Sequence, residues 1–205
     1  MMSSLPTAGA REPMRKSSGR TFGRKAKTLT SQVIYTGKVF GIRRDEVIEP
    51  SGVRATREVI THPGSVVVLP VLPDGQVLLI QQYRYAARDY LWELVAGRID
   101  TGETPDQAAT RELIEETGYR AAKFCIFLEL FPSPGFLEEK MFLYVAEGLT
   151  PGQASPEDDE KIISRAFNHQ QLEGMLRKRK VRDAKSVAGI LFYLRFLAED
   201  KHRFM

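Results

Sequence analysis

Five charged residues crowd one stretch of this chain at offsets that chemistry could use. Glu103 stands first; Arg111, Glu112, Glu115 and Glu116 follow close together. On a helix of 3.6 residues per turn, Glu112 and Glu116 are four apart and share a face, with Glu115 beside them. Like charges at that spacing repel, so stability alone argues against the arrangement. A divalent cation reverses the sign of that cost. Magnesium takes hard oxygen donors, usually one or two carboxylates completed by waters and substrate phosphates. Arg111 and Glu115 are also four apart, so the arginine can orient one carboxylate while the others face a metal. For three glutamates by themselves, a solvated acidic helix face is the competing explanation.

The helix that must carry these residues has clear ends. Thr104 can N-cap it, Pro105 suits its first turn, and Gln107 stands where a capping box wants Glu or Gln. Gly118 supplies a C-terminal stop. Ala109 and Leu113 give it an apolar seam. Upstream, Gln32–Tyr35, Val39–Ile48 and Val53–Thr61 read as strands, the last two joined by the turn Pro50-Ser51-Gly52. Val66–Leu72 and Val77–Tyr83 flank Pro73-Asp74-Gly75-Gln76, a hairpin signal. Leu91–Val95 is a short strand leading to the acidic cluster. Phe124–Phe131, Lys140–Ala146 and Lys161–Phe167 are further strands. Gln170–Lys180 and Ala184 to about Glu199 read as helices. Val187, Ile190, Leu191, Leu194 and Leu197 form an apolar stripe on the last, as a core or dimer contact does.

Gly97, five residues, Glu103, seven residues, then Arg111-Glu112-Leu113-Ile114-Glu115-Glu116-Thr117-Gly118 resembles the Nudix box at every fixed polar and glycine position. Tyr119 departs from it, standing where that family usually carries an aliphatic residue. The resemblance implies a Nudix hydrolase of α/β class, with a mixed β-sheet sandwiched between helices and an N-terminal antiparallel β unit. It implies Mg2+, with Mn2+ as the alternative, held by Glu112, Glu116 and the backbone carbonyl of Ala96. Glu115 is then an auxiliary ligand or the partner of one, and Glu103 ion-pairs within the box. Gly97 is expected to turn the chain sharply enough to present the Ala96 carbonyl.

Flanking segments narrow the resemblance. Thr56-Arg57-Glu58-Val59-Ile60, His62-Pro63-Gly64, Gln81-Gln82-Tyr83-Arg84, Leu91-Trp92-Glu93-Leu94-Val95-Ala96-Gly97 and Ser133-Pro134-Gly135-Phe136 resemble the ADP-ribose pyrophosphatase branch. The likeness runs from about Val33 to Leu197. It implies hydrolysis of a nucleoside diphosphate sugar, ADP-ribose to AMP and ribose 5-phosphate, with GDP-mannose or another nucleotide sugar as alternatives. A non-catalytic ADP-ribose sensor is the rival of a different class, and the complete box argues against it. A multiply anionic pyrophosphate calls for bidentate cationic donors, for which Arg57 and Arg84 are the matching residues. Glu93 joins the substrate-binding set through its motif. Ser133, Pro134 and Gly135 would form a rigid turn beside the terminal ribose, and Glu139 could accept a ribose hydroxyl.

The base that deprotonates water comes, in this branch, from a late acidic loop. Pro156-Glu157-Asp158-Asp159-Glu160 is that loop here, with Glu160 as the first choice and Asp158 and Glu157 as alternatives. The resemblance also implies a homodimer in which N-terminal strands exchange and help build the adenosine pocket. Phe40 or Tyr35 could stack on the adenine there.

Composition sets the outer limits. A chain of 205 residues with 42% apolar and 27% charged content suits one soluble globular domain with a modest extension. Its expected organisation is a basic disordered arm over 1–30, a β unit over 31–62 that serves dimerisation and the pocket, and the hydrolase domain over 63–200. The net charge of +4 arises in the arm, which holds seven Lys/Arg and one acid. The arm shows no amphipathic helix, no apolar core of a secretory signal, and no aromatics interleaved with its basic residues. A nucleic-acid partner is therefore not expected, and no apolar run is long enough to span a membrane. One cysteine, Cys125, precludes an intrachain disulfide and reads as a buried thiol; the expected location is cytoplasmic. His62, His169 and His202 lack the spacing of a zinc site.

Overall fold

A computed structural model describes residues 23–155 and 161–198. In chain order its strands are β1 (Lys27–Thr36), β2 (Gly41–Ile48), β3 (Arg54–Thr61), β4 (Ser65–Pro70), β5 (Val77–Arg84), β6 (Asp89–Glu93) and β7 (Val95–Arg98). Helix α1 (Pro105–Thr117) comes next, then β8 (Lys123–Leu130), β9 (Met141–Glu147), β10 (Ile163–Phe167), α2 (His169–Arg177) and α3 (Ala184–Phe192). Helix α3 runs on into a π-helical turn over Tyr193–Leu197.

Strand β4 organises the core. All six of its residues are buried, as the uninterrupted apolar run requires of a strand covered on both faces. Side chains alternate across the pleat, so Val67 and Leu69 enter one apolar cluster and Val66 and Val68 the other. The first cluster is closed by Leu172 of α2 and Ile190 of α3. The second is closed by Ala108, Ala109 and Leu113 of α1. Helices thus cover both faces of the mixed four-stranded sheet β7-β4-β9-β8, in which β4 and β9 run parallel.

Two antiparallel three-stranded sheets accompany it, β1-β2-β3 and β10-β5-β6. The predicted hairpin after β4 is present. Gly75 has φ +81° and Val71 pairs with Val77 across it, although β4 and β5 then join different sheets. The single strand expected at Leu91–Val95 is two: β6 pairs with β5, β7 pairs with β4, and the chain changes sheets at Leu94. Periodicity could not show this, because residues on either side of the switch are equally buried.

Pairing of β1 with β2 begins at Lys27, so the last residues assigned to the basic arm belong to the β unit. Every residue of β1 is exposed, and Val33 at 70% exposure is the extreme case. Cys125 is only partly buried, packed at the margin of the first cluster; β8 is an outer strand of its sheet and leaves that side chain half covered.

Candidate active site

Helix α1 forms as its sequence dictates. Thr104 is extended at the N-cap, its Oγ1 accepts the Gln107 amide at 3.3 Å, and the Gln107 side chain accepts the Thr104 amide at 2.9 Å. Gly118 ends the helix in the left-handed conformation at φ +77°. Its buried face, which carries Ala108, Ala109, Leu113 and Glu116, is pinned to the second core cluster and lies beside β7.

Glu112 and Glu116 project from that face to Ala96 and Gly97. The Ala96 amide donates to Glu116 Oε2 at 3.2 Å. A Cβ placed on Gly97 would lie 1.9 Å from Glu112 Oε1. Gly97 lies within β7 and is not among the glycines of positive φ. The expected sharp turn is therefore absent, and the reason for glycine is room for the Glu112 carboxylate. Glu116 is 5% exposed, which excludes a solvated acidic face for that residue.

Arg111 gathers the other carboxylates. Its Nε and Nη2 donate to Glu103 at 3.0 and 2.9 Å, and Nη1 donates to Glu112 at 2.6 Å and to Glu115 at 3.0 Å. A further bond from Nη2 to the Arg98 carbonyl, at 2.9 Å, ties the helix to the end of β7. Glu103 above all raises the Arg111 pKa, against the cost of burial and with help from Glu112 and Glu115. In turn Arg111 holds the Glu103 carboxyl below its ordinary value. The arginine thus orients three carboxylates rather than the one expected from its spacing to Glu115. Its fork geometry permits this, since five N–H donors leave in different directions.

A cavity of about 340 Å³ opens beside these groups. Arg84, Ala96, Gly97 and Glu139 line it, together with Asp183 and Lys185 from the start of α3. Arg84 is held by a two-point fork, Nε to Glu93 Oε1 and Nη2 to Oε2, both at 2.8 Å. Glu93, expected among the substrate contacts, is 1% exposed and has both oxygens engaged, Oε2 also accepting Lys185 Nζ at 2.6 Å. Burial opposes its ionisation, yet Arg84 and Lys185 outweigh that and hold its pKa below the ordinary value. Glu139 accepts from Ser65 Oγ at 2.7 Å.

Arg57 and the Ser133-Pro134-Gly135 turn do not line this cavity. Arg57 is on exposed β3, paired with Glu49. Ser133 starts a turn whose carbonyl accepts the Leu137 amide, and Pro134 and Gly135 are exposed at its tip. The turn is pinned to β3, where the Ile60 amide donates to the Phe136 carbonyl, and Pro132 is its contribution to the cavity wall. Glu157, Asp158 and Glu160 lie outside the described residues. A second cavity, of about 480 Å³, adjoins the first and shares Val39, His62 and Arg98 with it. Phe40 lines this one.

A model of the NUDIX domain family matches residues 61–189, a span that runs from β4 into α3 and holds every residue lining the first cavity except Val39. The chain belongs to the Nudix family. Among its relatives, the ADP-ribose pyrophosphatase of Bacillus subtilis (strain 168) is 33% identical over 81% of this chain and 91% of its own length. An ADP-ribose pyrophosphatase of Mycobacterium tuberculosis is 40% identical over 60% of each chain. The methanol dehydrogenase activator of Bacillus methanolicus is 31% identical over 86% of this chain and 96% of its own. The crystal structure of an ADP compounds hydrolase superposes with a TM-score of 0.72 at 24% identity, covering 82% of this chain and 91% of that one; this likeness concerns the fold.

For a Nudix hydrolase the donor set fits a hard divalent cation. Two carboxylates from one helix face converge on the Ala96–Gly97 stretch of β7, where Gly97 leaves room. Among the described residues no group of three acidic, histidine or cysteine side chains forms a metal site. Gly97→Ala tests the fit. The colliding atoms are the far end of the Glu112 side chain, which Arg111 holds at 2.6 Å, so the carboxylate is displaced while the backbone stays in place. The metal concentration giving half-maximal activity should rise by about tenfold or more, with the melting temperature nearly unchanged.

Sequence reasoning missed Asp183 and Lys185. Asp183 N-caps α3, accepting the Ser186 amide at 3.0 Å, and Ser186 Oγ accepts the Leu94 amide at 2.8 Å. The signal was an N-cap aspartate opening an apolar-striped helix; nothing local showed that this helix begins at the cavity.

Proposed function

We propose that this Nudix hydrolase cleaves the pyrophosphate of ADP-ribose, giving AMP and ribose 5-phosphate. The observation that carries this is the single cavity wall on which Arg84, Glu139 and the Ala96–Gly97 edge meet, beside Glu112 and Glu116. An anionic bridge, a sugar hydroxyl and a hard cation each find a suitable group there. The relatives named ADP-ribose pyrophosphatase support the nucleotide and sugar.

Each residue then has a task. Glu112, Glu116 and the Ala96 carbonyl would hold Mg2+ or Mn2+, which when bound supplies Lewis-acid neutralisation of phosphate charge and a more acidic water. Arg84 meets phosphate oxygens with the N–H donors that Glu93 leaves free, and the fork at Glu93 fixes its plane. Arg111 keeps Glu112 and Glu115 apart and oriented. Glu139 receives a ribose hydroxyl. Glu160 takes the proton of the attacking water, as a P–O bond forms and the bridging P–O bond breaks.

The adjoining cavity with Phe40 would receive the adenosine. A homodimer fits the β unit: β1 is an outer strand with exposed Val33, Ile34 and Tyr35, a surface that monomers seldom leave uncovered. Arg57 and the Ser133-Pro134-Gly135 turn would then act from or toward the neighbouring subunit's site. Among the described residues no helix is long and apolar enough to cross a membrane; a cytoplasmic location is part of this proposal.

A panel of nucleotide sugars assayed with Mg2+ or Mn2+ tests the reading, each product freeing phosphate to an added phosphatase. ADP-ribose should be turned over with the highest kcat/KM. A preference for GDP-mannose would replace the substrate but keep the chemistry, and binding without turnover of any of them would point to a sensor.

A further inference from the structure

Lys185 has no part in the box or in the motifs that flank it. Its side chain is 11% exposed, with Nζ 2.6 Å from Glu93 Oε2 and 3.0 Å from Asp183 Oδ1. Replacing a buried ion pair with apolar residues is often neutral or stabilising, so stability by itself gives little reason for an ammonium here. Its position gives a better one. It sits in the wall of the cavity that holds Arg84 and Glu139.

Four of the charges at that wall form one ion-paired cluster. Arg84 and Lys185 balance Glu93 and Asp183, with Glu93 shared between the two cations. Without Lys185 the group carries a net negative charge, and Arg84 is neutralised by the carboxylate that orients it. A pyrophosphate brought to such a wall meets repulsion where it needs attraction, in a site where low dielectric magnifies both.

We propose that Lys185 is a positioning residue for the pyrophosphate: by offsetting one of the two negative charges of Glu93 and Asp183, it leaves the Arg84 guanidinium an attractive partner for a phosphate. This rests on the reading that the cavity receives a nucleoside diphosphate sugar. Lys185 acts through Glu93 and Arg84, and the effect belongs to ground state and transition state alike, so it should appear in KM.

The test is a charge-compensation cycle read by kinetics and binding. In Lys185→Met the KM for ADP-ribose should rise by tenfold or more, with kcat within about threefold; tenfold corresponds to about 1.4 kcal/mol of binding. Adding Asp183→Asn restores the charge balance, and asparagine still N-caps α3, so the double variant should recover most of the lost affinity. A lysine that only braces the fold would lower the melting temperature without this rescue. If Lys185→Met does not fold, Lys185→Gln, which keeps a donor toward Glu93, takes its place. Calorimetric titration with inorganic pyrophosphate and Mg2+ should give the same ordering of Kd. An unchanged KM and Kd in the single variant, or an affinity that Asp183→Asn lowers further, overturns the proposal. Wild-type protein that hydrolyses no ADP-ribose would sink the proposed function instead, and the pyrophosphate titrations would still decide the role of Lys185; a wild type that binds no pyrophosphate overturns that role too.

Discussion

Glu116→Gln should abolish nearly all hydrolysis while leaving the fold intact. The glutamine carbonyl oxygen can still accept from the Ala96 amide, as Glu116 Oε2 does at 3.2 Å, so the buried contact between α1 and β7 survives. What is lost is one negative charge at the point where helix and strand converge. Removing a residue that merely supports a metal ligand costs about ten- to a hundredfold in affinity or activity, so losing a ligand charge should cost more than the upper end. Raising the metal concentration should recover part of the rate, and a melting temperature within a few degrees of wild type would show that the loss is local. Near-normal turnover with Mg2+ would remove Glu116 from the ligand set. It would leave a buried carboxylate that receives the Ala96 amide without serving a metal.

The box was legible because its signals are local. Capping residues, a left-handed glycine stop and four-residue spacings are all written within one helix, and α1 runs Pro105–Thr117 as they require. What Gly97 does was not local. Its need for a missing side chain comes from Glu112, fifteen positions away, and a sequence reading supplied a turn where the chain needed clearance. The same holds for Glu93. Its motif announced a role, but the sequence could not say that Lys185 would arrive from another helix and seal the carboxylate from solvent.

Sheet membership was the other limit. Leu91–Val95 is uniformly apolar enough to be one strand, and it becomes two because the Leu94 amide is taken by Ser186 Oγ. A backbone donor claimed by a distant side chain is invisible to periodicity. By contrast β4, buried on both faces, followed its composition, a continuous apolar run; β1 did not, being exposed throughout although it carries Val33-Ile34-Tyr35, and beginning at Lys27 within the stretch read as the arm.

Glu160→Gln should slow turnover by about a hundred- to ten-thousandfold, the usual contribution of a positioned general base, with substrate and metal binding nearly unchanged. Deprotonation of water matters in the transition state and not in the ground-state complex, so the loss belongs in kcat. The residues that bracket this segment carry the argument for its place. On one side the Ser155 amide donates to the Glu115 carbonyl at 3.0 Å, and Gly152 and Ala154 pack so closely on Gly118 that a Cβ there would lie 2.7 to 2.8 Å from their backbone. On the other, β10 pairs Ile163 with Gln81, three residues before Arg84. The residues flanking the acidic segment thus lie at the end of the box helix on one side and against the strand that carries Arg84 on the other. A silent Glu160→Gln with a crippled Asp158→Asn or Glu157→Gln would move the base along the loop and keep the chemistry. Full kcat in all three variants would exclude the loop, and Glu115, half-exposed and held by Arg111 at 3.0 Å, would then be the next candidate for the base.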